Sequence, residues 1–209
     1  MKKLLITFFL SPLAIFAQVK TAETTFELNT KESRINWKSP SATGNGHVGF
    51  IQPKLGSLIR YTNGFIKSGN FIIDMNSIRT GTYENPGKSK NGIEEHLKSD
   101  DFFSVDKFPA SNFVITKVTP SPQPNNYVIT GNLTIKGVTN SIMFPAVIVL
   151  NKDQLNAKAE ITINRTRWGI MYKSQGQSFL TLMNGVKDDL IPNDINLSLN
   201  LVFNQLVVK

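Results

Sequence analysis

Apolar and polar residues alternate along much of this chain, most clearly near its end. There Ile195, Leu197, Leu199, Leu201 and Phe203 interleave with Asn196, Ser198, Asn200, Val202 and Asn204. A period of two puts the first five on one face, so the segment reads as a half-buried β-strand. The same pattern sets Ile35 and Trp37 opposite Arg34, Asn36 and Lys38. It also sets Tyr127, Ile129, Leu133 and Ile135 opposite Val128, Thr130, Asn132 and Thr134. Further strands are predicted near 25–29, 45–52, 56–62, 65–75, 111–119, 141–150 and 155–165, about eight to ten in all.

Turn chemistry separates them: Asn63-Gly64, the Pro120–Asn126 stretch, Lys136-Gly137 and Asn151-Lys152-Asp153. Connections this short make antiparallel hairpins. The segment from Gly81 to Pro109 is too long for a hairpin loop. Within it Ile93 and Leu97 stand at helical spacing, which predicts a short helix over Gly92–Ser99. Many one-faced antiparallel strands either close into a barrel or stack as two sheets. Strands of about ten residues, roughly 33 Å long, suit an elongated interior. An eight-stranded barrel is just wide enough to be filled by its own side chains or to hold one small ligand, and periodicity does not choose between them.

The first residues read differently. Lys2 and Lys3 precede an apolar run from Leu4 to Ala17, the pattern of a secretory signal peptide cleaved before Gln18. About fourteen residues interrupted by Pro12 fall short of the roughly twenty that a spanning helix needs. The expected organisation is a signal peptide over 1–17, an extension over 18–24 and one barrel domain over 25–205, in a periplasmic or secreted protein. The formal charge of +8 falls to +6 when Lys2 and Lys3 leave. The basic residues are scattered, so the excess reads as a solubility feature with transient contact to an anionic membrane surface. Nucleic acid is not an expected partner. With no cysteine in the chain, disulfides, thiolate metal ligands, a cysteine nucleophile and a cysteine-linked lipid anchor are excluded.

Candidate chemistry is sparse. The two histidines, His47 and His96, belong to no catalytic motif and lack metal-ligand spacing. His96, beside Glu94, Glu95, Asp100 and Asp101, reads as structural or surface. His47, between Gly46 and Gly49 in a predicted strand, would serve as a polar anchor for a ligand head group if it points inward. Asp100-Asp101 and Asp188-Asp189 read as solvated turns or caps. No glycine-rich loop joins a strand to a helix, and no cofactor is expected. Phe102, Phe103, Phe108 and Phe113 fall within twelve residues. They serve either as core or as a lid over a barrel mouth.

Four strings carry a resemblance to a known family: Ser77-Ile78-Arg79-Thr80, HLKSDDFFSVDKFP at 96–109 leading into Phe113, GNLTIKGVT at 131–139, and INRTRWGI at 163–170. In order and spacing the chain resembles the YceI-like, polyisoprenoid-binding proteins from about Phe26 to Phe203. The resemblance implies an all-β, eight-stranded antiparallel lipocalin-like barrel with a helix in the long 81–109 connection, around an apolar tunnel for an isoprenoid or fatty-acyl chain. Arg167 and Trp168 depart from the acidic residue and Phe that often precede Gly-Ile, and Arg167 makes an anionic ligand more plausible. The stretch from Tyr172 to Pro192 matches least well.

The expected function is therefore non-catalytic binding of a polyisoprenoid, isoprenoid quinone or fatty-acyl chain. Wall positions are Phe71, Ile73, Phe113, Ile115, Tyr127, Ile129 and Trp168, with Phe102 and Phe103 near an opening and His47 at a head group. Two alternatives are an enzyme acting on a lipid-like substrate with His47 as base, and an outer-membrane barrel with its apolar faces turned to lipid. Oligomeric state is not legible.

Overall fold

The computed structural model describes residues 23–40, 46–87, 92–174 and 191–207. The proposed signal peptide, Asp188-Asp189 and most of the poorly matching 172–192 stretch lie outside them. Ten strand segments form one sheet: β1 (Glu23–Leu28), β2 (Arg34–Ser39), β3 (His47–Pro53), β4 (Leu58–Thr62), β5 (Phe65–Thr80), β6 (Ala110–Pro120), β7 (Asn126–Ile135), β8 (Val138–Asn151), β9 (Gln154–Asn164) and β10 (Asp194–Gln205). The short helix α1 (Ile93–Lys98) sits in the long connection, as its spacing predicts.

Every pairing between these ten segments is antiparallel, and β5 against β6 closes the sheet on itself. The ten segments fill eight positions. Along β10, β1 faces Phe203–Gln205 while β2 faces Asn196–Asn200. Along β5, β4 pairs over Phe65–Asn70 and β3 over Ile73–Thr80. Each short pair is thus one broken strand, and the barrel is a closed eight-stranded one.

Two buried serines repair the breaks. The Ser57 hydroxyl accepts from the Ile72 N–H (2.9 Å) and donates to the Lys54 carbonyl (2.9 Å). The Ser33 hydroxyl accepts from the Val202 N–H (3.0 Å). A hydroxyl stands where a neighbouring strand would supply the carbonyl, so no buried N–H is orphaned there.

The two ends differ. At one, Asn63-Gly64, with φ of 52° and 86°, closes the β4–β5 hairpin. Positive φ at both central residues is the twist-compatible hairpin geometry. At the other end lie α1, the Lys136-Gly137 turn and a 3-10 turn at Arg165–Trp168. Near this helix end β8 and β9 diverge, since they pair only over Ala146–Asn151 and Gln154–Ala159. Pro145, which has no N–H to give a ladder, immediately precedes the paired stretch.

The 3-10 turn fills the fork. Trp168 is 0% exposed and donates its indole N–H to the Leu133 carbonyl at 2.9 Å. The Asn140 amide donates to the Arg167 carbonyl at 2.8 Å, and the Arg167 guanidinium to the Ser141 carbonyl at 3.1 Å.

Candidate ligand-binding cavity

Burial along β10 locates a hollow. Phe203 is 0% exposed and Leu201 6%, whereas Leu199, Leu197 and Ile195, on the same inward face, are only half-buried. Inward apolar side chains that are incompletely covered must border empty space, because a packed interior would cover them. Near the hairpin end Phe26, Ile59, Leu155 and Phe203 are fully buried and form a floor. From there to the helix end runs a cavity of about 220 Å³.

Small residues make part of this room. Ala146 and Ala159 face each other across β8 and β9, and Ala157 lies one inward step further along. All three line the cavity.

Of the wall residues read from sequence, Phe71, Ile73, Phe113, Ile115 and Ile129 line the cavity, and so do Phe102 and Phe103 at the helix end. Three others do not. Tyr127 shares the inward face of Ile129 but is half-buried and packs against the core outside the lining. Trp168 is a wedge in the β8–β9 fork, because the 3-10 turn breaks the strand period just before it. His47 pairs with Ser39 at the very end of β3, so its inward register leaves it exposed at the rim, outside the lining.

The reading of Arg167 as a head-group determinant is also corrected. Its guanidinium is exposed, bonded to Ser141 and set over the Trp168 ring at 5.4 Å. The buried cation that lines the cavity is Arg165, which continues the inward parity of Ile161 and Ile163. A charged residue in a polar string reads as solvent-facing, which conceals the parity. Trp37, Leu197 and Leu199 were on a legible inward face, yet which inward residues border space and which pack depends on height in the barrel.

The helix end is assembled by the four strings. Thr80 donates both its N–H and its hydroxyl to the Glu94 carboxylate (2.8 and 3.0 Å), which fastens α1 to β5. The Lys107 ammonium meets the Asp100 carboxylate at 2.8 Å and holds its pKa below the usual carboxylate range. Lys136 donates to the Asp100 carbonyl at 2.9 Å, tying the 131–139 string to the 96–109 string. His96 reaches Asp101 at 3.0 Å, with its ring edge-on to Phe102 and Tyr172 at 5.0 and 4.7 Å. Phe102 and Phe103 therefore stand where the lumen meets this cap. Among the described residues no group of three or more His, Cys, Asp or Glu is placed to hold a metal ion.

A closed eight-stranded barrel around an apolar lumen is a barrel of the lipocalin-like class. The chain belongs to the YceI-like family, whose domain model matches residues 16–203. A UPF0312 protein of Shewanella denitrificans is 33% identical over 110 residues, 52% of this chain and 51% of that protein. A UPF0312 protein of Photorhabdus laumondii is 36% identical over 56 residues, 27% and 28% of the two chains. The chain thus spans about half or less of the length of these curated relatives. Among solved structures, Burkholderia cenocepacia BcnA matches with TM-score 0.62 and 16% identity, over 84% of this chain and 98% of that one. A polyisoprenoid binding domain from Saccharophagus degradans, implicated in plant cell wall breakdown, matches with TM-score 0.59 and 12% identity, over 87% and 98%. At these identities the likeness is one of fold.

Proposed function

We propose that the barrel binds a long apolar chain, of polyisoprenoid, isoprenoid-quinone or fatty-acyl type, without covalent chemistry. The protein would carry or store it, or serve a stress response, in the cell envelope. The observation that carries this reading is the burial gradient along β10, from a closed floor at Phe203 to half-covered Leu199, Leu197 and Ile195. An apolar cavity of about 220 Å³ left empty costs about 5 kcal/mol at roughly 24 cal/mol per Å³. An occupant recovers that cost.

Each methylene moved from water contributes about 0.8 kcal/mol, less the ordering of the chain. Specificity is loose along the tail and falls to the few polar groups of the wall. The named Saccharophagus domain, which binds polyisoprenoid by its own description, supports the ligand class. The position of His47 at the rim, outside the lumen, favours binding over an enzyme that would use it as base. The apolar faces turn inward while Asn196, Lys158 and Glu160 face out, the reverse of a lipid-facing barrel. Export through Lys2, Lys3 and the Leu4–Ala17 run places the mature protein in the periplasm or outside the cell, and N-terminal sequencing beginning at Gln18 tests it.

The binding test is a chain-length series of fatty acids titrated into delipidated protein. Affinity should rise by up to about fourfold per methylene and then level off when the lumen is full. Affinity independent of chain length would reject the reading.

A further inference from the structure

Taking the binding reading as its base, we propose that the ligand's polar end is an anion, a carboxylate or phosphate monoester, seated at the Arg165 guanidinium at the helix end of the lumen.

Arg165 is 2% exposed and lines the cavity. Its hydrogen-bond partners among the described residues are neutral: Nε donates to the Pro192 carbonyl (3.1 Å), Nη1 to that of Ile170 (2.8 Å) and Nη2 to that of Ile191 (3.0 Å). The Phe102 ring lies 5.7 Å from the guanidinium carbon. Among the described residues no carboxylate forms an ion pair with it. Burying a charge without a counter-ion is costly even when carbonyl dipoles surround it, and burial lowers the guanidinium pKa accordingly. A guanidinium has five N–H donors; among the described residues three are bound to carbonyls, which leaves one on each Nη for a ligand.

The rest of the wall points the same way. Among the described residues its inward polar side chains are Trp37, Ser39, Ser111 and Arg165, with no acid, and Lys158 borders it from an outward-facing position on β9. The Ser111 hydroxyl donates to the Met75 sulfur at 3.0 Å, and the buried Trp37 indole N–H has no acceptor among the described residues. The lumen offers donors and positive charge, so the occupant supplies acceptors and negative charge. A tail in the apolar channel with its anion at Arg165 satisfies both. A carboxylate or phosphate accepts from both free Nη donors at once, as planar forks prefer.

The test measures affinities of the delipidated mature chain for two matched pairs: palmitic acid against methyl palmitate, and geranylgeranyl monophosphate against geranylgeraniol. The anionic member should bind about tenfold or more tighter. In Arg165→Met the ratio should fall close to one, with Arg165→Lys between. The two pairs separate a fatty carboxylate from a prenyl phosphate as the source of the anion. Because Arg165 also holds three carbonyls, the wild-type protein carries its own control: the Arg165 Nε–H resonance should shift with palmitate and stay with its ester. Equal binding of anion and neutral partner overturns this inference and leaves the binding function standing. A preference retained in Arg165→Met, or a resonance unmoved by the acid, removes Arg165 from the site. Failure of all four probes rejects the binding function itself.

Discussion

The ring of Phe113 lies across Gly131 on the neighbouring strand, in the space a β-carbon at position 131 would take. The glycine is a notch in the wall, and the ring lies along the wall with Phe71 and Phe144 on either side, at 5.9 and 5.6 Å between centroids. Substituting Gly131→Ala should push the ring towards the lumen. The expected result is weaker binding of an apolar fluorescent probe and a loss of about 1–3 kcal/mol from overpacking, measured by denaturant unfolding. Adding Phe113→Leu should restore probe binding. Unchanged affinity in the single variant would show that the ring does not border the occupied space.

The alanines of β8 and β9 allow space and packing to be separated. Ala159 borders the cavity and Leu155, on the same face of β9, is fully buried in the floor. Ala159→Phe should abolish probe binding with little change in the melting temperature of ligand-free protein, because the ring enters existing space. Leu155→Ala should do the opposite, costing about 2–5 kcal/mol while probe affinity persists. Equal destabilisation by both would mean that the helix half of the lumen is packed solid.

At the strand break, Ser57→Ala should leave the Ile72 N–H and the Lys54 carbonyl without their hydroxyl partner. A buried unsatisfied group costs about 1–3 kcal/mol. Urea unfolding should show that loss, and probe affinity should change little, since the hydroxyl does not face the cavity.

Alternation predicted which side of each strand faces inward, and turn residues predicted where hairpins fall. The count of eight was harder, because the 29–33 and 54–57 interruptions look like ordinary hairpins until the pairings show β1 with β2, and β3 with β4, laid end to end. Height along the barrel axis is set by register between strands distant in sequence. Alternation therefore puts Tyr127 in the wall although it stays outside the lining, and His47 in the interior although it ends its strand. Trp168 was misplaced for a different reason. Beyond Arg165 the 3-10 turn changes the period, so strand parity no longer reports direction at Trp168. Arg165 kept the inward parity, yet its charge concealed it.

Native mass spectrometry of the purified protein, before and after organic extraction, tests the central claim most directly. The expected spectrum shows a non-covalent adduct that extraction removes, that the extract identifies as a species with a long hydrocarbon tail, and that adding it back restores. A protein that carries no adduct, takes up neither fatty acid nor prenyl chain when these are supplied, and unfolds at the same temperature with and without them would contradict a binding barrel.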